Sequence, residues 1–192
     1  MFFWLNGAFR DGAEEGTAAI DIADRGFLLG DGVFETILLV DGAPAFLSAH
    51  LRRMRAGAAG IGISANIDEA EVAGVLAELV RRNDAGVGLA SARLTLTRGA
   101  GPRGLVIEKN VATSTFLVTV SAYGPPKEAA APAALIVSSH RRNELSAASR
   151  WKTLNYLDNV LARVEAAAVG PMMRSCSIAR GVRRVHRRRI FL

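Results

Sequence analysis

Two tight-turn dipeptides, Asn6-Gly7 and Asp41-Gly42, place the strongest constraint on the fold of this chain. Each follows an apolar, strand-like run, and Asn-Gly and Asp-Gly pairs favour the left-handed backbone of a two-residue hairpin turn. The first predicts a strand that turns and returns within "FFWLNGAF", and the second predicts the end of the strand "VFETILLV". β-Structure therefore opens the chain.

Helical patterns follow these strands. A first helix is predicted from apolar residues at helical spacing, with Ser48 as a possible N-cap: Leu47, Leu51, Met54, Ala58 and Ile61. Asp68 and Glu71 form a capping-box-like start for a second helix. Its expected buried residues are Val72, Val75, Leu76, Leu79 and Val80. "LASARLTLTR" and "TSTFLVTVSAY" then read as strands, so the class is predicted to be α/β or α+β.

A segment rich in proline and alanine, "YGPPKEAAAPAA" at 123–134, is the predicted linker between two parts. The second part begins with the short strand "ALIVSS". A helix is then predicted from about Asn155, with one apolar stripe: Leu157, Val160, Leu161, Val164 and Ala168.

Composition excludes several classes of protein. Half of the residues are hydrophobic, yet no apolar run approaches membrane-spanning length, and we expect no membrane association. The single cysteine, Cys176, cannot form an internal disulfide and is typical of a reducing compartment, so the cytoplasm is expected. The net charge of +6 does not describe the main part of the chain. Residues 171–192 hold seven arginines and no acidic residue, and residues 1–170 carry a net charge of about −1. Nucleic acid is therefore not the expected partner.

Metal and nucleotide sites are not expected either. The three histidines have no metal-ligand spacing. "GAGPRG" at 99–104 matches a dinucleotide-binding pattern, but a strand-like "LVIEKN" follows it where a helix is required. We interpret this stretch as a glycine-rich turn.

Lys152 is the first candidate for chemistry, because the chain has three lysines against twenty-one arginines. A lysine amine can lose its proton and form a Schiff base with an aldehyde such as pyridoxal phosphate, whereas arginine cannot. The residue types alone favour the alternative, a solvated lysine beside a helix start.

Arginines and acids on two other segments are further candidates. Arg52, Arg53 and Arg55 lie on the first predicted helix, where a guanidinium could hold a phosphate or simply face solvent. "RGFLLGDGVFET" places Glu35 among apolar residues and close glycines, which is typical of a tight loop feeding a buried strand.

Four blocks, taken in order, resemble the class-IV (fold-type IV) pyridoxal-phosphate aminotransferases: "DRGFLLGDGVFET", "LSAHLRRM", "RLTLTRGAGPRG" and "RWKTLNYLDNVLAR". That family includes branched-chain and D-amino-acid aminotransferases and aminodeoxychorismate lyase. The resemblance covers roughly residues 3–170 and implies pyridoxal 5'-phosphate as cofactor.

The resemblance also implies roles for individual residues. Lys152 would be the catalytic lysine that binds the cofactor and moves the substrate proton. Arg53 would bind the cofactor phosphate, and Tyr156 would pack beside the cofactor. Glu35 and Arg103 would lie in the substrate site, with Arg103 contacting a substrate carboxylate.

The domain plan implied by the family is a small N-terminal α/β domain (1–122), the linker (123–134) and the start of a larger domain (135–170), here incomplete. Members are usually homodimers. Residues 171–192 form a basic tail that does not match the family: Arg184 stands where the resemblance calls for the glutamate that pairs with the pyridine nitrogen. The expectation is a truncated chain with an aberrant C-terminal tail.

The expected reaction is amino transfer between an amino acid, with branched-chain substrates favoured, and a 2-oxo acid. D-amino-acid substrates are disfavoured, because Leu105 stands where those enzymes carry a histidine. Aminodeoxychorismate lyase, which performs an elimination with the same lysine, is the alternative. A remnant without catalytic activity is the third possibility.

Overall fold

The computed structural model describes residues 1–13, 20–107, 113–124, 134–170, 173–176, 178–179 and 182–183. Contacts divide the chain into two compact units. The first comprises Met1–Lys127 together with Trp151–Leu154, and the second comprises Glu128–Arg150 with Asn155–Leu192. The segment that carries Lys152 thus folds with the first unit.

A six-stranded sheet forms the frame of the first unit. Its strands are Phe2–Leu5 (β1), Ala8–Asp11 (β2), Gly32–Val40 (β3), Ala43–Pro44 (β4), Leu89–Thr97 (β5) and Thr115–Gly124 (β6). They lie in the order β2-β1-β6-β5-β3-β4, and every neighbouring pair is antiparallel. Both predicted hairpin turns are confirmed, with Asn6 at φ 48° and Asp41 at φ 47°.

Three helices accompany this sheet: Arg25–Leu29 (α1), Leu47–Gly60 (α2) and Glu69–Arg82 (α3). The predicted cap of α3 is confirmed, because the Asp68 carboxylate accepts the Glu71 N–H at 2.8 Å. Ser48 as the cap of α2 is wrong. The helix begins at Leu47, Phe46 occupies the cap position at φ 57°, and the Ser48 hydroxyl donates to the Glu69 carboxylate instead.

The core lies between one face of the sheet and helices α2 and α3. The predicted apolar face of α3 is buried, as is the Ala92, Leu94 and Leu96 face of β5, while Arg93 on the opposite face is exposed. This alternation follows from the two-residue period of a strand.

The loop predicted before β3 contains the short helix α1, which is a correction. Asp24 provides the missed signal, since its carboxylate accepts the Gly26 N–H at 2.7 Å as an N-cap. Gly30 ends the helix in the left-handed conformation at φ 67°. Asp24 is fully buried and also accepts from the hydroxyls of Thr97 and Thr115, at 2.8 and 2.7 Å.

The second unit contains Ala134–Val137 (β7), Ala147–Arg150 (α4), Leu157–Val169 (α5), Met173–Cys176 (β8), Ile178–Ala179 (β9) and Val182–Arg183 (β10). β7 and β8 are parallel, and β9 and β10 are antiparallel. Glu165 of α5 accepts from the Ser138 hydroxyl and from the Ser139 N–H, which ties the helix to the end of β7.

The predicted helix α5 is present, but its apolar stripe does not face the interior. All five stripe residues are exposed, and Ala162 and Ala166 are buried instead. Two alanines four residues apart share one face, and their small side chains allow a close approach to neighbouring backbone.

The mixed α/β class is confirmed. At the predicted linker, β6 continues through Gly124 and β7 begins at Ala134, and residues 125–133 lie outside the described part, as do Arg184 and most of the predicted tail. No helix in the described residues is long and apolar enough to cross a membrane.

Candidate functional site

Strand β3 places the lysine segment. The Phe34 N–H donates to the Lys152 carbonyl at 3.0 Å, and the Leu154 N–H donates to the Gly32 carbonyl at 2.9 Å. Val33 and Thr153 form an antiparallel bridge between these bonds. Lys152 therefore lies directly across from Phe34, on the same face of the sheet.

The Lys152 side chain lies over an aromatic ring. Its Nζ is 3.9 Å from the centroid of the Phe34 ring, and Phe34 is only 4% exposed. The Arg93 guanidinium carbon is 4.0 Å from the same centroid. Lys152 is half-buried, and the position of its amine over the Phe34 ring distinguishes it from a freely solvated lysine.

Trp151 anchors the same segment to helix α2. A Cβ atom added to Gly60 would lie 2.3 Å from the Trp151 ring, and one added to Gly57 would lie 3.7 Å from the Trp151 Cβ. Two glycines one helical turn apart thus leave the space that the indole fills. They fix the residue next to Lys152 against the helix that carries Arg53.

A pair of glycine substitutions tests this anchor. Gly60→Ala forces its new methyl group into the Trp151 ring, and we expect the free energy of unfolding to fall by about 2 kcal/mol. Gly74→Ala is the matched control on helix α3, where nothing lies within 4 Å. The control should gain about 0.5–1 kcal/mol from helix propensity. Urea denaturation measures both, and equal effects of the two variants would contradict the anchor.

Glu35 follows Phe34 on β3, so its side chain lies on the opposite face of the sheet, where it binds two side chains of helix α2. It is fully buried, and its carboxylate accepts from His50 Nδ1 at 2.8 Å and from Arg53 Nε at 2.5 Å. Arg53 Nη2 makes a second, very short contact. Burial by itself raises the pKa of Glu35, but the hydrogen bonds from Arg53 and His50 outweigh burial and lower this pKa below its ordinary value.

The lowered pKa of Glu35 gives stability a defined dependence on pH. The ionised carboxylate stabilises the fold above its unfolded pKa of about 4.3, and this contribution is lost as pH falls through the lower folded pKa. We expect the stability difference between the wild type and Glu35→Gln to be largest near neutral pH and to shrink below about pH 4. Urea titrations from pH 7 to pH 3 measure it, and a difference independent of pH would argue against an ionised Glu35.

The Arg53 guanidinium is held on one side by Glu35, and part of its side chain remains accessible to solvent. Glu35 holds its Nε and one Nη nitrogen, yet 44% of its side chain is exposed. A guanidinium held in this way keeps its charge and its orientation. The arrangement fits the binding of an anionic group such as a phosphate.

The remaining predicted site residues occupy other elements. Arg103 is exposed in the loop after β5, and the strand-like "LVIEKN" is not extended into a strand over Leu105–Ile107. Tyr156 belongs to the second unit, is half-buried and precedes α5, where its carbonyl accepts the N–H groups of Asn159 and Val160.

Sequence reasoning missed Phe34, Arg93 and Trp151. Arg93 lies on the polar face of β5, so its exposure was readable from alternation, but its contact with Phe34 depends on strand register. No signal in the sequence pairs Trp151 with Gly60. Among the described residues, no group of three or more His, Cys, Asp or Glu side chains could hold a metal ion.

Comparison with known proteins identifies the family. The family model described as amino-transferase class IV matches residues 32–172. D-alanine aminotransferase of Bacillus licheniformis is 33% identical over 165 residues, which cover 80% of this chain and 52% of the relative. Aminodeoxychorismate lyase of Bacillus subtilis is 30% identical over 162 residues, covering 84% and 54%. The chain belongs to the class-IV aminotransferase family, a family of enzymes.

Solved structures give the same fold. The T.th. branched-chain amino acid aminotransferase with pyridoxamine 5'-phosphate superposes with a TM-score of 0.78 at 25% identity, covering 93% of this chain and 59% of that one. The fold-type IV assignment is thereby confirmed. This chain spans about half the length of the curated relatives that it matches.

Pyridoxal phosphate is the cofactor of class-IV aminotransferases and the related lyases, as the resemblance implied. The donor groups of the first unit fit it chemically: Lys152 offers an amine for the aldehyde, and Arg53 offers a held guanidinium for the phosphate.

Proposed function

We propose that this chain belongs to an enzyme that transfers an amino group between an amino acid and a 2-oxo acid, with pyridoxal phosphate and with branched-chain substrates favoured. The observation that carries the proposal is the position of the Lys152 amine over the buried Phe34 ring of strand β3. Glu35, the residue after Phe34 on the same strand, binds Arg53. Both chemical groups thus depend on one strand, β3.

Lys152 has two tasks in this proposal. Its amine would hold the cofactor through the aldehyde carbon, and it would move a proton to and from the substrate Cα. The bound cofactor supplies an electron sink for the bond at that carbon. The contact of the amine with the Phe34 ring and the backbone hydrogen bonds between the Lys152 segment and β3 hold the amine near that ring.

The other residues bind and orient. Arg53 contacts the cofactor phosphate, and Glu35, which the resemblance places in the substrate site, holds the Arg53 guanidinium through its buried carboxylate. Arg103 contacts a substrate carboxylate, for which its exposed position is suited. Cofactor binding by Tyr156, which the resemblance implies, is part of the proposal.

Aminodeoxychorismate lyase activity is the second candidate, supported by the 30% identity to the Bacillus subtilis enzyme. It requires the same lysine and the same phosphate site. A homodimer in the cytoplasm, acting on small-molecule substrates, completes the proposal.

Cofactor trapping tests the proposal directly. Incubation with pyridoxal phosphate followed by borohydride should add a pyridoxyl phosphate group to Lys152, which peptide mass spectrometry distinguishes from the two other lysines of the chain. A chain that takes up no label at Lys152 has the fold without this chemistry. With label present, conversion of leucine, D-alanine or aminodeoxychorismate separates the branched-chain, D-amino-acid and lyase activities.

A further inference from the structure

The loop at residues 99–105, which carries Arg103, is docked onto one buried arginine. Arg25 Nη1 donates to the Gly104 carbonyl at 2.9 Å, and Nη2 approaches the Leu105 carbonyl at 3.5 Å. The backbone N–H of Arg25 also donates to the Gly99 carbonyl at 2.9 Å. Arg25 therefore contacts the loop on both sides of Arg103.

Arg25 is itself fixed by an ionic chain. Its Nε donates to Asp31 at 3.0 Å, and Asp31 also accepts from Arg98 Nε at 2.7 Å. Arg98 donates further to the carbonyls of Ile61 and Gly62, each at 2.7 Å. Burial by itself raises the pKa of Asp31, but the hydrogen bonds from Arg98 and Arg25 lower it, so the acid that orients Arg25 stays ionised.

Burial excludes Arg25 from direct contact with a substrate. It is only 5% exposed, and its Cδ lies 3.1 Å from the position that a Cβ on Gly101 would take. Arg103, two residues further on, is exposed. The buried guanidinium thus fixes the backbone on either side of a side chain that faces solvent.

We propose that Arg25 is a positioning residue for Arg103, and that it sets the affinity of the site for a substrate carboxylate by restraining the 99–105 loop. The inference rests on the proposed function, which assigns the carboxylate contact to Arg103. A loop released from Arg25 loses conformational entropy when it binds a ligand, and this loss weakens binding. With Arg25 in place the loop is ordered before the ligand binds, so this entropy loss does not weaken binding.

Two measurements on the full chain test the restraint. Native-state trypsin cleavage after Arg103 reports loop opening and needs no cofactor. Binding of 4-methylvalerate and of the neutral 4-methylpentanamide to the pyridoxal-phosphate-loaded chain reports carboxylate recognition without turnover. The variants are Arg25→Met, Arg103→Met and the control Arg10→Met, an exposed arginine on β2. Arg25→Lys keeps a cation beside Asp31 should Arg25→Met fail to fold.

We expect Arg25→Met to accelerate cleavage after Arg103 at least tenfold and to weaken 4-methylvalerate binding at least tenfold, with the amide unchanged. Arg25→Lys should fall between Arg25→Met and the wild type, and Arg10→Met should match the wild type.

Three outcomes would overturn the inference, and they are distinguishable. Unchanged cleavage in the Arg25 variants shows that Arg25 does not restrain the loop. Faster cleavage with unchanged carboxylate affinity shows a restraint without a role in recognition. Unchanged carboxylate affinity in Arg103→Met removes the role of Arg103 from the proposed function, and the inference with it. Missing label at Lys152 contradicts the proposed chemistry separately.

Discussion

Lys152→Arg should abolish covalent attachment of pyridoxal phosphate while leaving the fold intact. Arginine keeps a cation over the Phe34 ring, so that contact and the backbone pairing with β3 are retained. Its guanidinium keeps its proton near neutral pH and cannot condense with an aldehyde. The absorbance of the bound cofactor and the borohydride-fixed mass increase should both be lost, and the unfolding free energy should change by less than about 1 kcal/mol.

The two other lysines provide the control. Lys109→Arg and Lys127→Arg make the same chemical change elsewhere and should retain full labelling. Labelling that persists in Lys152→Arg and falls in either control would place the reactive amine elsewhere.

Arg53→Met should weaken both the fold and the phosphate site. Glu35 is fully buried and would keep only His50 of these two partners, so we expect the unfolding free energy to fall by about 2 kcal/mol. The estimate lies below the usual range for a broken buried ion pair because Arg53 is itself 44% exposed.

Ligand binding separates the role of Arg53 in phosphate recognition from its role in stability. The wild type should bind pyridoxal phosphate about 100-fold more tightly than pyridoxal, since a charge-assisted guanidinium contact contributes about 2–3 kcal/mol. Arg53→Met should reduce that ratio to below about tenfold. Arg52→Met, one residue earlier and also exposed on α2, should leave both the ratio and the stability near the wild type. A preserved ratio in Arg53→Met would assign the phosphate to other donors.

Much of the fold was readable because its signals are local. Asn6-Gly7 and Asp41-Gly42 are compatible with the left-handed backbone of their turns, and Asp68 accepts from a residue three positions away. Such preferences depend on neighbours within a few residues. Helix α5 shows where they fail, because its widest apolar stripe is exposed and two alanines are buried.

The candidate site divides in the same way. The amino-acid sequence shows which residue types are available: one lysine in a distinctive block, an arginine on the first long helix, and a family resemblance that names their roles. The partners of these residues follow from the folded chain: Lys152 pairs across from Phe34, Trp151 fills the space left by Gly60, and Arg25 contacts Gly104, 79 positions away. Strand register and the packing of distant backbone set these contacts, and both are properties of the whole fold that no local pattern encodes.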